Sequence, residues 1–240
     1  MKIPSTGMVL AAGLGKRMRP LTDDKPKPMI QFGGLTMIDR SLDQLQLAGD
    51  ANAVLNTSNK AEVLEAHLAS RKMPRIILSR EPEPLETGGG IFHALPKLGA
   101  EPFFVINGDV VCLDGAQPAL LRLAGAWDDA RMDALLLLHS TARAVGYNGR
   151  GDFSLSPLGE LCRRGEQTNA PYVFTGVQII HPRLFVGCSP GAFSLNVLYD
   201  KHKNAEGWLG RVYGLVHDGE WLHIGDPEGL RKAEEFLAKL

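Results

Sequence analysis

Short apolar bursts alternate with longer stretches in which apolar residues recur at helical spacing. Gly7 to Ala11 (GMVLA), Ala51 to Ser58, Arg75 to Ser79 (RIILS), Phe103 to Asp109 (FFVINGD) and Ala134 to Ser140 (ALLLLHS) each have the length and apolar density of buried strands. Thr36 to Gly49, a stretch from Lys60, and GAQPALLRLAGAWDD repeat apolar positions at helical intervals, so they are expected to be helices. Pro82 to Gly99 reads as a loop that becomes helical around Gly90. This alternation predicts a mainly parallel sheet with helices on both faces.

From about Tyr147 the pattern changes. GRGDFSLSPLGELCRRG consists of short alternating runs broken by Gly and Pro, which predicts a small antiparallel insertion. PYVFTGVQIIHPRLF reads as a strand and a short helix, and SLNVLYDKHKNAEG as a helix. RVYGLVHDGEWLHIG reads as two strands joined at Asp218-Gly219, and PEGLRKAEEFLAKL as a terminal helix with proline in its first turn. With no internal repeat and no linker rich enough to divide it, residues 1–240 are expected to form one α/β domain.

Composition narrows the class. Lys and Arg number 26 against 27 Asp and Glu, so there is no concentrated positive charge of the kind duplex nucleic acid requires. Aromatic and basic residues do not interleave, which argues against a single-strand platform. No apolar run approaches membrane-spanning length, and no cationic head leads into an apolar stretch with a cleavage site. Cys112, Cys162 and Cys188 match no metal or redox spacing, and a reducing cytoplasm is the expected setting.

The strongest chemical signal is LAAGLGKRMRPLTDDKPKP, Leu10 to Pro28. Gly13 and Gly15 let backbone amides converge on an anion, while Lys16, Arg17, Arg19, Lys25 and Lys27 supply charge that a polyphosphate needs and a neutral sugar does not. The lysine-serine or lysine-threonine ending of a Walker loop is absent, and no helix follows at once as a dinucleotide fingerprint requires. Asp109 ends an apolar strand at the sheet edge where ligands of α/β proteins gather.

This string, followed in order by ETGGG (Glu86 to Gly90), NGD (Asn107 to Asp109), FTGV (Phe174 to Val177) and WLHIGDPE (Trp221 to Glu228), resembles the sugar-1-phosphate nucleotidyltransferases over nearly the whole chain. Within them it looks most like the bacterial N-acetylmuramate-1-phosphate uridylyltransferases of cell-wall recycling. The resemblance implies a Rossmann-like α/β fold: a mixed, mainly parallel sheet flanked by helices, with a small antiparallel sugar-binding insertion. Residues to about 145 would form the nucleotide-binding half, and those from about 146 the sugar- and metal-binding half.

By the same resemblance, Arg17 would hold the β and γ phosphates and Lys27 would reach the α-phosphate and the sugar phosphate. These roles suit a planar fork and a mobile point charge respectively. Leu10, Ala11, Ala12, Gly13, Gly15 and Lys16 would line the base and triphosphate, with Glu81 near the base and Gly88 as a backbone contact. Glu86, Thr87, Asn107, Asn148, Gly151, Asn169 and Thr175 are the sugar-side candidates. Arg163 and Arg164 stand where the family often has a lysine near the sugar phosphate.

Asp109 would bind catalytic Mg²⁺, with Mn²⁺ as the alternative ion. The family's second carboxylate lies in a W-x-D-x-G-T-P pattern, and here His223 stands at the aspartate position. Imidazole is a poor ligand for a hard ion. Three accounts stay open: His223 holds a metal-bound water or a softer ion, Asp226 supplies the carboxylate, or the site binds nucleotide and turns over poorly. Asp226 followed by Pro227 also fits a helix N-cap.

The expected reaction is uridylyl transfer from UTP to an amino-sugar 1-phosphate, N-acetylmuramate 1-phosphate by resemblance, giving a UDP-sugar and pyrophosphate. Guanylyl or other transfer to a mannose, heptose or other sugar phosphate is the near alternative, and a catalytically weak nucleotide-sugar sensor the alternative of another class. No nucleic acid or membrane partner is expected, and the chain would be a monomer or a small homo-oligomer.

Overall fold

The computed structural model describes residues 4–240. The strands are β1 (Thr6–Leu10), β2 (Gln31–Phe32), β3 (Leu35–Thr36), β4 (Asn52–Thr57), β5 (Arg75–Arg80), β6 (Phe103–Asn107), β7 (Val110–Leu113), β8 (Ala134–Ser140), β9 (Phe153–Leu155), β10 (Glu160–Arg163), β11 (Tyr172–Ile180), β12 (Trp208–Val216) and β13 (Glu220–His223). The helices are α1 (Met37–Ala48), α2 (Ala61–Leu68), α3 (Glu86–Leu98), α4 (Ala119–Ala126), α5 (Asn196–Tyr199) and α6 (Pro227–Leu237).

Nine strands form one sheet in the order β5-β4-β1-β6-β11-β8-β12-β10-β9. β5, β4, β1 and β6 run parallel to one another, as β12 does to β8, while β11 is antiparallel to both β6 and β8. The result is a Rossmann-like mixed sheet. Alternation along each strand sends side chains to opposite faces, both of them covered. Val9, Leu135 and Leu137 pack with Leu42 and Leu45 of α1 and Leu123 of α4; Met8, Leu136 and Leu138 share the other core with Ile91 and Ala94 of α3 and with Leu184 and Tyr199. A smaller cluster of Met18, Ile30, Phe32, Val111, Leu222, Ile224 and Ala233 ties the basic loop to β7, β13 and α6. Among the described residues no helix is long and apolar enough to cross a membrane.

Several sequence expectations shift. The insertion strands β9 and β10 are antiparallel as expected, and they extend the main sheet through β12. β12 and β13 do not pair with each other. His217 Nε2 lies 3.0 Å from Leu113 O, and Arg122 binds both Val216 O and Asp218 Oδ1, so the turn is tied to the end of β7 and β13 pairs there. The expected helix after Ser194 is cut to α5 and a single 3-10 turn, Asp200–His202. Asn204 stops it by accepting from Trp208 N and Gly207 N, which closes a turn into β12. α3 starts at Glu86, ahead of the expected Gly90. Its glycines, poor helix formers on their own, are there to admit another segment: a Cβ on Gly89 would lie 2.2 Å from Gly191 O, and one on Gly88 would lie 2.5 Å from the Phe193 ring.

Candidate active site

An open cavity of about 270 Å³ sits at the C-terminal ends of β1, β4, β5 and β6. It is lined by the glycine loop (Leu10, Ala12 to Leu14), by Lys27 and Pro28, and by Asn56, Glu81, Pro84, Glu86, Thr87 and Asn107 to Asp109. This is the edge at which a parallel α/β sheet collects ligands.

Each wall has a local cause. The Gly108 amide donates to Leu10 O at 2.9 Å, and a Cβ there would lie 2.7 Å from that same oxygen, so only glycine lets the turn after β6 lie against the end of β1. That turn puts Asp109 beside Lys27, whose Nζ donates to Asp109 Oδ2 at 2.8 Å. The Lys27 side chain is 9% exposed and that of Asp109 41%, so a buried cation is held by a carboxylate that opens to the cavity. The basic loop is fastened from beneath: Thr22 Oγ1 donates to Gly15 O at 2.9 Å, and Lys60 Nζ donates to Thr22 O at 2.5 Å.

At the opposite wall, the Gly88 and Gly89 amides both donate to Phe193 O, and Leu195 N donates to Thr87 Oγ1. Residues 191–195 therefore cover the start of α3, and the Gly88 amide proposed for the base is already bonded to protein. Glu86, which lines the cavity, has φ +59°, a strained conformation for a residue with a side chain.

Of the sequence-selected residues, the cavity unites Leu10, Ala12, Gly13, Lys27, Glu81, Glu86, Thr87, Asn107 and Asp109. Ala11 is buried just behind, its amide bonded to Asn56 Oδ1 at 2.7 Å. Gly15, Lys16 and Arg17 stand outside the lining, with Lys16 and Arg17 exposed on a single 3-10 turn. Thr175 is fully buried and its hydroxyl donates to Leu137 O, so it offers no group to a sugar. Asn148 and Asn169 are exposed and outside the lining, and Gly151 is a buried glycine at φ +74° whose Cβ position is blocked by Ala170 O. Arg163 spends its charge on Asp200 and lies over the Phe153 ring, while Arg164 binds Gly151 O and Gln167 O. Asn56, in the pocket wall, was not selected from sequence; its signal is a buried polar side chain directly after the apolar run Ala53 to Leu55 of β4.

On the acidic side, the Asp226 carboxylate accepts from Gly229 N at 2.8 Å and caps α6. His223 Nδ1 lies 3.3 Å from Gly146 O, and its ring packs against those of Tyr147 and Trp221, which also touch each other. Among the described residues no group of three or more His, Cys, Asp or Glu side chains is arranged to hold a metal ion. A hard divalent cation nevertheless fits a single carboxylate when phosphate oxygens and waters complete its shell, and Asp109 is the half-exposed carboxylate at the cavity.

At these strand ends a glycine loop, a buried lysine and the aspartate paired with it line one cavity, a site that suits a phosphate-bearing ligand and its counter-ion. Residues 7–203 match the family described as MobA-like NTP transferase domain. N-acetylmuramate alpha-1-phosphate uridylyltransferase of Caulobacter vibrioides is 43% identical over 241 residues, 98% of each chain. The protein of the same name from Neisseria meningitidis serogroup B is 34% identical over 232 residues, 95% of this chain and 96% of that one. The structure of HddC from Yersinia pseudotuberculosis complexed with GMP-PN has the same fold, with a TM-score of 0.73 at 23% identity over 97% of this chain and 99% of that one. The chain belongs to the MobA-like NTP transferase family, in its sugar-1-phosphate nucleotidyltransferase branch.

Proposed function

We propose that the chain transfers the uridylyl group of UTP to N-acetylmuramate 1-phosphate, forming the UDP-sugar and pyrophosphate. The observation that carries this reading is the end-to-end likeness to the Caulobacter vibrioides enzyme of that activity, at 43% identity. The paired Lys27 and Asp109 at the cavity support it chemically. The acceptor's phosphate oxygen attacks the α-phosphorus, the bond from that phosphorus to the α–β bridging oxygen breaks, and pyrophosphate leaves. The attacking phosphate is already ionised near neutral pH, so no base need remove a proton. Catalysis then rests on alignment and on neutralising charge.

Lys27, held in a fixed direction by burial and by Asp109, balances charge at the α-phosphate and the incoming phosphate. Arg17, exposed on its turn, takes the β and γ phosphates as a planar fork. Asp109 would hold Mg²⁺, which would draw charge from the phosphate oxygens. Glu86, Thr87 and Asn107 face the sugar, and Leu10, Ala12, Gly13 and Glu81 face the nucleoside. The protein works where UTP is made, in the cytoplasm, and needs no nucleic acid or membrane.

Pyrophosphate release measured for all pairings of four nucleoside triphosphates with a panel of sugar 1-phosphates tests the assignment. The highest kcat/KM is expected for UTP with N-acetylmuramate 1-phosphate. A preference for GTP, or for a sugar phosphate lacking the lactyl and acetamido groups, would overturn it.

A further inference from the structure

Asn56, in β4, is 3% exposed and makes both of its side-chain bonds inside the cavity wall. Oδ1 accepts from Ala11 N at 2.7 Å, and Nδ2 donates to Glu81 Oε1 at 2.8 Å. The other Glu81 oxygen accepts from Leu85 N at 3.0 Å. These bonds have a direction. A backbone amide can only donate, so Ala11 compels Asn56 to turn its oxygen inward and its NH₂ toward Glu81. Leu85 N likewise requires an acceptor. A glutamine at 81 would set its own NH₂ against one of these donors; a carboxylate accepts from both and keeps lone pairs to spare.

The backbone leaves room for the pair. A Cβ on Gly90 would lie 2.7 Å from Glu81 Oε1 and 2.9 Å from Asn56 Nδ2. Glu81 is 4% exposed yet lines the cavity, so its spare lone pairs meet whatever occupies that wall. Asn56 also joins the two loops that shape it, the glycine loop after β1 and the segment between β5 and α3.

We propose that Asn56 is a positioning residue that fixes Glu81 as an acceptor-only wall of the nucleobase subsite, so that the pocket selects bases presenting a ring N–H. Uracil and guanine carry that N–H. Cytosine and adenine present a lone pair at the equivalent ring nitrogen, which would face the carboxylate unpaired. The inference rests on the reading that this cavity holds the base of a nucleoside triphosphate.

The test compares the wild type with Asn56→Ala and Asn56→Asp in steady-state kinetics, using four nucleoside triphosphates between pH 5.5 and 8.5. Asn56→Asp keeps the acceptor for Ala11 N but sets a second carboxylate against Glu81. Two carboxylates in contact share a proton at low pH, and that proton stands in for the missing N–H. Lys27, Glu86 and Asp109, the other charged groups lining the cavity, are common to all three proteins.

Asn56→Ala is expected to raise KM for UTP about tenfold or more, the worth of a hydrogen bond to a charged group, and to narrow the UTP-to-CTP ratio of kcat/KM. KM for the sugar phosphate stays within about twofold, because the sugar does not touch this wall. Asn56→Asp is expected to match the wild-type KM for UTP at pH 5.5 and lose it at pH 8.5. Should Asn56→Ala fail to fold, this rescue by acid carries the test. Unchanged nucleotide KM in the variants, an equal rise in both substrates' KM, or a pH-independent Asn56→Asp would overturn the inference. A wild type that prefers GTP to UTP overturns the uridylyl reading while supporting this inference, since guanine also brings an N–H. One that prefers CTP or ATP overturns the inference itself.

Discussion

Lys27 Nζ donates to Asp109 Oδ2 at 2.8 Å, linking residues 82 positions apart and bringing opposite charges together at the cavity. In the proposed reaction the pair separates its duties when phosphates enter, the lysine to an anion and the carboxylate to a cation. Asp109→Ala and Lys27→Ala are each expected to lower kcat by about 10²-fold or more, as removal of a preorganised charge does at other phosphate and oxyanion sites. The double variant should lose less than the product of the single losses, because both side chains act on the same phosphates. Pyrophosphate release at saturating substrates measures this. Wild-type-like kinetics in Asp109→Ala would remove that residue from catalysis.

Asp226 is bound as a helix cap, which separates stability from metal dependence. Asp226→Ala should cost about 1 kcal/mol by the loss of its bond to Gly229 N. The Mg²⁺ concentration for half-maximal turnover is expected to stay where it is in the wild type. A tenfold rise would make Asp226 a ligand after all. In His223→Asp, a fall in that concentration would show that the packed imidazole occupies a position a carboxylate can use.

Asp50 is 2% exposed, and neither carboxylate oxygen has a hydrogen-bond partner among the described residues. Burial pushes its carboxyl up to about 8. The folded chain thus holds a proton that the unfolded chain has released, so stability falls as pH rises from about 4 toward 8, at up to about 1.4 kcal/mol per pH unit. Asp50→Asn has no proton to lose, and urea unfolding at pH 5, 6, 7 and 8 should give a shallower decline. Parallel curves for the two proteins would refute this.

Two glycine-to-alanine changes should move stability in opposite directions. Gly89→Ala drives a methyl to within 2.2 Å of Gly191 O, a backbone atom, and is expected to cost about 3 kcal/mol or more. It should also raise KM for substrate, because Glu86 and Thr87 of the same helix start line the cavity. Gly125 in α4 has nothing within 4 Å of its Cβ position, and Gly125→Ala should gain about 0.5–1 kcal/mol in denaturant unfolding.

Local chemistry made much of this legible from sequence. The strand-glycine-cation run from Leu10, the NGD turn and the fully apolar ALLLL each carry their signal within a few residues, and all occur as expected in the sheet and at its edge. What was hidden depends on distant partners. The start of α3 is concealed because the glycines at 88 and 89 answer to residues 191–195, about a hundred positions away. β12 and β13 occur as the two expected strands, but the sequence does not show that β13 pairs with β7, which the distant contacts of His217 and Arg122 accompany. Thr175 is a small polar residue of the kind that binds sugars, and only its burial where β11 breaks register against β8 reveals that its hydroxyl is committed to Leu137 O.

The glycine beside Thr175 has a use of its own. Gly176, at φ +85° where β11 breaks register, has the Asn107 side chain within 2.9–3.1 Å of where its Cβ would be. Asn107 belongs to the first half of the chain and lines the cavity, while Gly176 belongs to the second and lies behind it. One wall of the pocket is thus gauged by an atom that is missing. Any larger residue at 176 would meet the Asn107 side chain, so the second half of the chain limits where a wall formed by the first half can stand.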